Sequence, residues 1–153
     1  MFEIRQREVP EQLVLIERHQ GLRQVELADR LPEVLGRLGR LADQQGGGAG
    51  APFVVYHGEE FDEHDISLEV CVPVQRTPDG AAVRTEPAHR EAYARLTRAQ
   101  FAPPTVGEAY GAVLAWVSEH NQQVAGDPRE IYLTDVIAAA PDDEVVDVAF
   151  PIR

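Results

Sequence analysis

Residues 128–135 read Pro-Arg-Glu-Ile-Tyr-Leu-Thr-Asp and set a carboxylate, Glu130, inside a run that otherwise has the character of a buried strand. Successive strand residues face opposite ways, so Glu130, Tyr132 and Thr134 share one face and Arg129, Ile131 and Leu133 the other. An ionised carboxylate is costly to bury alone, so it must take up a proton, accept hydrogen bonds or meet a positive charge. Beside tyrosine rings such a group suits a cation: a ring face contributes about 0.5–2 kcal/mol, and the carboxylate more where water is excluded. A carboxyl group in an apolar pocket also suits general acid–base work. An internal ion pair, or hydrogen bonds from a tyrosine hydroxyl, would account for the same residues in a purely structural way.

Other reactive residue types point elsewhere. The stretch Tyr-His-Gly-Glu-Glu-Phe-Asp-Glu-His-Asp (56–65) gathers His57, Glu59, Glu60, Asp62, Glu63, His64 and Asp65, but its place between two strand-like runs fits a solvated hairpin tip better than a metal site. No metal or other cofactor is expected. Cys71 is the sole cysteine and falls at a small packing position rather than that of a nucleophile. There is no Gly-x-Ser-x-Gly elbow, phosphate-cradling loop, dinucleotide fingerprint or zinc spacing.

The elements that must position Glu130 occur twice. Pro10 in VPEQLVLIERHQG matches Pro87 in EPAHREAYARLTRA at an offset of 77 residues. LPEVLGRLGRLADQQG matches VGEAYGAVLAWVSEHN at an offset of 75, setting Leu31, Leu35, Leu38 and Leu41 beside Val106, Tyr110, Val113 and Trp116, with the three-and-four spacing of a helix face. APFVVYHG matches DPREIYLT at 76, and DISLEVCVPV matches DEVVDVAFPI at 78, both alternating as strands do. Each half therefore reads as strand, helix, strand, strand, with repeat one over 1–76 and repeat two over 81–153. The Gly-rich segments 46–51 and 125–127 are expected to end the helices, and Thr77-Pro78-Asp79-Gly80 to turn between the halves. The expected fold is α+β: tandem strand-helix-strand-strand units forming a mainly antiparallel sheet, with two long helices on one face and a central groove.

In this register Glu130 corresponds to Val54, so a carboxylate occupies a position that is apolar in its twin, whereas Tyr132 corresponds to Tyr56. The remaining candidates for a ligand pocket are rings: Tyr110 and Trp116 on the second helix, Tyr93 on the strand before it, and Phe101 in the loop between. Each of these fills a core as readily as it lines a pocket.

A chain of 153 residues with 44% hydrophobic and 26% charged residues can build a core without disulfide or metal staples. The net charge of -12, from 26 acidic and 14 basic residues, opposes binding to a phosphate backbone and favours cationic ligands or a basic partner. The charged start, MFEIRQREVP, and the lack of any run near the roughly 18 apolar residues of a membrane span point to the cytoplasm, away from membranes.

The second half, YARLTRAQFAPPTVGEAYGAVLAWVSEHNQQVAGDPREIYLTD followed by VDVAFPI, resembles the GyrI-like small-molecule-binding domain, the effector-binding domain of AraC-type and multidrug-sensing transcription activators. The resemblance extends over nearly the whole chain as two tandem units. It implies that Glu130 is the pocket carboxylate meeting cationic, aromatic ligands, and that the protein is a stand-alone sensor or sequestering protein without its own DNA-binding domain. The family commonly has His-x-Gly before the second helix; this chain has Thr97-Arg98-Ala99 there, and His19-Gln20-Gly21 in the first half. The resemblance also takes in hydrolases of strained, cyclopropane-type electrophiles, which would use Glu130 and Tyr132, and gyrase-inhibitor-like proteins. The natural ligand, any turnover, the oligomeric state, a protein partner and the sheet face carrying Glu130 are not legible from the residues.

Overall fold

The computed structural model describes residues 2–58 and 62–153. Its fold is α+β. Each repeat contains one more strand than the periodicity suggests: β1 (Ile4–Val9), β2 (Gln12–Leu22), α1 (Gln24–Leu41), β3 (Phe53–His57) and β4 (Ile66–Pro73) are followed by β5 (Val83–Glu86), β6 (His89–Thr97), α2 (Thr105–Glu119), β7 (Arg129–Tyr132) and β8 (Glu144–Ile152). The additional strands, IRQREV and VRTE, are short and charged, which hides them from a search for apolar alternation.

Those short strands change places. The chain forms two compact units: Glu11–Pro87, called here the first unit, and Ala88–Arg153 together with Pro10 and the residues before it, the second. Strand β1 of repeat one pairs with β6 of repeat two, and β5 of repeat two pairs with β2 of repeat one. Pro10 and Pro87 stand where the chain passes from one unit to the other. Proline has no N–H to donate to a ladder, so β1 stops before β2 begins and β5 before β6.

Within the first unit the strand order is β3-β4-β2-β5, and within the second it is β1-β6-β8-β7, every pairing antiparallel. Helix α1 buries Leu27, Val34 and Leu38, and α2 buries Ala109, Val113 and Val117, the spacing of one helix face in each case. In the first unit the shared face of the strands offers Leu15, Val54, Leu68, Val70 and Val72. Burying each such side chain contributes about 1.5–3 kcal/mol. Across that same face Arg37 of α1 grips Glu17 of β2 through two bonds of 2.8 and 2.9 Å.

One helix end meets expectation and the other does not. Helix α1 runs into a π-helical segment, Ala42–Gly46, closed by Gly47 at φ 73°. Helix α2 stops before its Gly-bearing segment, at Asn121, which takes φ 56°; asparagine is one of the few side chains that tolerates the left-handed conformation. The turn at 77–80 is present, with Gly80 at φ 71° and the Ala81 N–H donating to the Pro78 carbonyl.

The face of each unit away from its helix carries a buried acid held between two arginines. In the second unit Asp147, fully buried, accepts from Arg95 at 2.8 Å and from Arg7 at 2.9 Å, and Arg7 also bonds Glu91. In the first, Glu69 accepts from Arg18 at 2.8 Å and from Arg84 at 2.8 Å, and Arg84 also pairs with Glu86. Arg7 and Arg84, Arg18 and Arg95, and Glu69 and Asp147 are repeat equivalents, spaced 77, 77 and 78 residues apart. The exchanged strand thus supplies the bridging arginine in both units.

Candidate functional site

Strand β7 places Glu130 opposite Val148 and Tyr132 opposite Val146; β6 continues the row with Ala94 opposite Val148 and Ala92 opposite Phe150. Register therefore sets Glu130, Tyr132, Val146, Val148 and Phe150 on one face. Helix α2 covers that face, because Tyr110 of α2 reaches both Glu130 and Phe150. The sheet face left open by the alternation is thereby decided: Glu130 looks toward the helix.

Glu130 is 6% exposed, and both its oxygens accept hydrogen bonds from phenols. The Tyr110 hydroxyl donates to Oε2 at 2.6 Å and the Tyr132 hydroxyl to Oε1 at 2.9 Å. Of the arrangements the sequence leaves open for a buried carboxylate, hydrogen bonds from tyrosine hydroxyls are present. Tyr132 is legible from the strand, two residues away on the same face, and Tyr110 comes from the helix, 20 residues away in sequence. The two phenol donors fix the positions of both carboxylate oxygens.

Two further rings complete the cluster. Phe101, in the loop before α2, meets Tyr132 edge-on with centroids 6.3 Å apart. Phe150 of β8 meets Tyr110 edge-on at 6.0 Å and an interplanar angle of 88°. Phe150 was not among the sequence candidates. Its signal lay in the alternation of VDVAFPI, which puts it on the face of Val146 and Val148, and in its repeat equivalent being the smaller Val72.

The other candidate rings are not brought to Glu130 by the second unit. Tyr93 pairs with Ala149 and lies on the opposite face, under Arg7, whose guanidinium carbon is 3.8 Å from the ring centroid. Trp116 and Tyr110, six residues apart on α2, point about 120° apart around a helix of 3.6 residues per turn, so they flank the buried stripe from opposite sides. Trp116 stacks instead on His120, with centroids 4.0 Å apart. Tyr56 is half-buried on β3 of the first unit, opposite Leu68.

The remaining reactive groups have structural surroundings. Burial and then the charge of Glu69 push the Cys71 thiol far up, leaving it an inert thiol whose Sγ donates to Glu69 Oε1 at 3.4 Å. Burial works to raise the pKa of Glu69, but the hydrogen bonds from Arg84 and Arg18 outweigh it and hold the carboxyl below its ordinary range. Glu91 likewise ends below that range, burial being outweighed by the His89 hydrogen bond and the Arg7 charge. Glu59 and Glu60 of the acidic loop lie outside the described residues; among the described residues no three His, Cys, Asp or Glu side chains gather to hold a metal ion. Nor is any described helix long and apolar enough to cross a membrane.

Solved structures resemble this chain in fold. EcmrR in its DNA complex superposes with a TM-score of 0.80 at 18% identity over 99% of this chain, which spans 57% of the EcmrR chain. The EcmrR C-terminal domain alone gives 0.79 at 17% identity, covering 100% of this chain and 98% of that one. SAV2435 bound to tetraphenylphosphonium gives 0.67 at 12% identity, over 99% and 94%. A hydrolase from Listeria innocua gives 0.66 at 11% identity, over 99% and 92%. No curated protein matches the sequence. The model of one family matches residues 2–153, and with that coverage the chain belongs to the GyrI-like small molecule binding domain family.

Proposed function

We propose that the chain reversibly binds small organic molecules at the Glu130 cluster of the second unit, and that its preferred ligands are cationic and aromatic. The observation that carries this reading is the pair of phenol bonds to a buried carboxylate: Tyr110 and Tyr132 occupy both oxygens of Glu130 while their rings stand beside it. At 6% exposure the carboxylate is largely shielded from water. A cation arriving at such a site gains from the charge and from ring faces together. That SAV2435, similar in fold, is bound to tetraphenylphosphonium supports the choice of ligand class.

Calorimetric titration with tetraphenylphosphonium and with neutral triphenylphosphine oxide tests the reading. Glu130→Gln is expected to weaken the phosphonium by about tenfold or more and the oxide by less than about twofold, since the substitution removes charge and little volume. Equal losses for both ligands would remove Glu130 from the role of charge selector.

The fold shared with a Listeria hydrolase supports a second reading, hydrolysis of a strained electrophile. Glu130 would then take a proton from water as the water oxygen attacks the strained carbon, the ring bond would break with the Tyr132 hydroxyl steadying the released electron pair, and Glu130 would return the proton to that carbon. Incubation with cyclopropane-bearing electrophiles decides it: turnover above buffer that disappears in Glu130→Gln supports hydrolysis, and none above buffer refutes it.

A further inference from the structure

The two repeats act as an internal control for the site. Three members of the cluster have repeat equivalents of a different kind: Glu130 against Val54, Tyr110 against Leu35, and Phe150 against Val72. In the second unit these three residues form one contact chain, Phe150 to Tyr110 by ring edge at 6.0 Å and Tyr110 to Glu130 by hydrogen bond at 2.6 Å. Tyr132, the member of the cluster that keeps its identity in the twin as Tyr56, joins that chain at the other oxygen of Glu130, at 2.9 Å, and is met by Phe101 rather than Phe150.

From this we infer that Phe150 is the positioning residue of the Glu130 site, setting the Tyr110 ring so that its hydroxyl reaches Oε2. Tyr110 is only half-buried, and its ring lies on the edge of the helix stripe rather than at its centre, so α2 alone does not fix the ring's tilt. Phe150 does. It is 7% exposed, rooted in a nine-residue strand, and paired across the ladder with Ala92, whose small side chain leaves room for a ring. An edge-to-face pair resists rotation of either ring, which a valine of the twin's kind would not. The aromatic pair and the phenol bond are thus one device, present where the carboxylate is present and replaced by aliphatic packing where it is not.

The inference deepens the proposed ligand site, but its first test does not depend on any ligand binding. Tyrosine carrying carbon-13 at Cζ reports the state of its hydroxyl by NMR, and single Tyr→Phe variants assign the four signals. In the unliganded protein Phe150→Leu is expected to move the Tyr110 signal toward the value of free tyrosine while leaving that of Tyr132 in place. Phe150→Tyr, which keeps a ring, is expected to restore it. Phe101→Leu is expected to do the reverse, moving Tyr132 and sparing Tyr110.

A second arm uses tetraphenylphosphonium: Phe150→Leu should weaken it roughly threefold to tenfold, and by under about twofold when Tyr110→Phe is already present, because coupled residues are not additive. An unmoved Tyr110 signal in Phe150→Leu, or equal losses with and without the Tyr110 hydroxyl, would overturn the assignment. If tetraphenylphosphonium fails to bind the unaltered protein, the proposed ligand class falls, and the Cζ signals still decide the role of Phe150.

Discussion

The first and second units are built alike and differ at their centres. Beneath α1 the position of Glu130 is held by Val54, fully buried, and the helix above it presents Leu35 where α2 presents Tyr110. On the opposite faces the units share a plan, each with an acid clasped by one arginine from its own repeat and one from the exchanged strand. The clusters are present in both copies and so belong to the architecture. The carboxylate with its phenols occurs in one copy, as does Glu17 with Arg37, whose repeat equivalents are Ala94 and Ala112.

Placing a carboxylate in the apolar twin attacks this contrast most directly. Val54→Glu would bury an acid beneath Leu35, where no phenol stands at the position of Tyr110, and is expected to cost about 4 kcal/mol in urea unfolding. Adding Leu35→Tyr and Val72→Phe is expected to recover part of that loss. If the single substitution were tolerated at under about 1 kcal/mol, the second unit's phenols would not be what makes Glu130 affordable there.

Next in size is the shared feature. Asp147→Asn and Glu69→Gln each leave two arginines facing a neutral group on a buried surface and are expected to cost about 3 kcal/mol, with similar values in the two units. A large difference between them would show that the clusters are equivalent in geometry but not in energy. Exposed pairs such as Arg37 with Glu33 contribute at most about 1 kcal/mol and do not bear on the comparison.

The smallest effect is on acid stability, and it too should appear in both units. Glu69 in the first unit and Glu91 in the second have folded-state pKa values below the ordinary 4.5. A group whose pKa is lowered by folding contributes fully above its unfolded pKa and loses that contribution as pH falls through the folded one. The urea midpoint is therefore expected to hold down to about pH 5 and to fall below it. Glu69→Gln and Glu91→Gln should each flatten part of that fall, and a profile unchanged by either would mean that the arginine contacts stabilise the neutral acid as well.

Much of the fold was legible. Alternation and helix spacing located both long strands, both helices and the final pair in each repeat, because apolar periodicity follows directly from which face is buried. Strands β1 and β5 escaped because their value lies in charged side chains, Arg7 and Arg84, that find partners only across the sheet. The ring candidates divided along a line the helix geometry could have drawn: Tyr110 and Trp116 lie on opposite flanks of α2, and Tyr93 and Glu130 on opposite faces of the sheet.

What the chain order alone determined was the duplication, the α+β class and the anomaly of an acid at a valine position, since these depend on residue type and spacing within a few turns or strands. Which repeat each short strand joins, and which hydroxyls reach Glu130, were decided only by packing. Backbone hydrogen bonds cannot tell one strand partner from another, and a bond between a strand and a helix 20 residues away exists only once their faces have met.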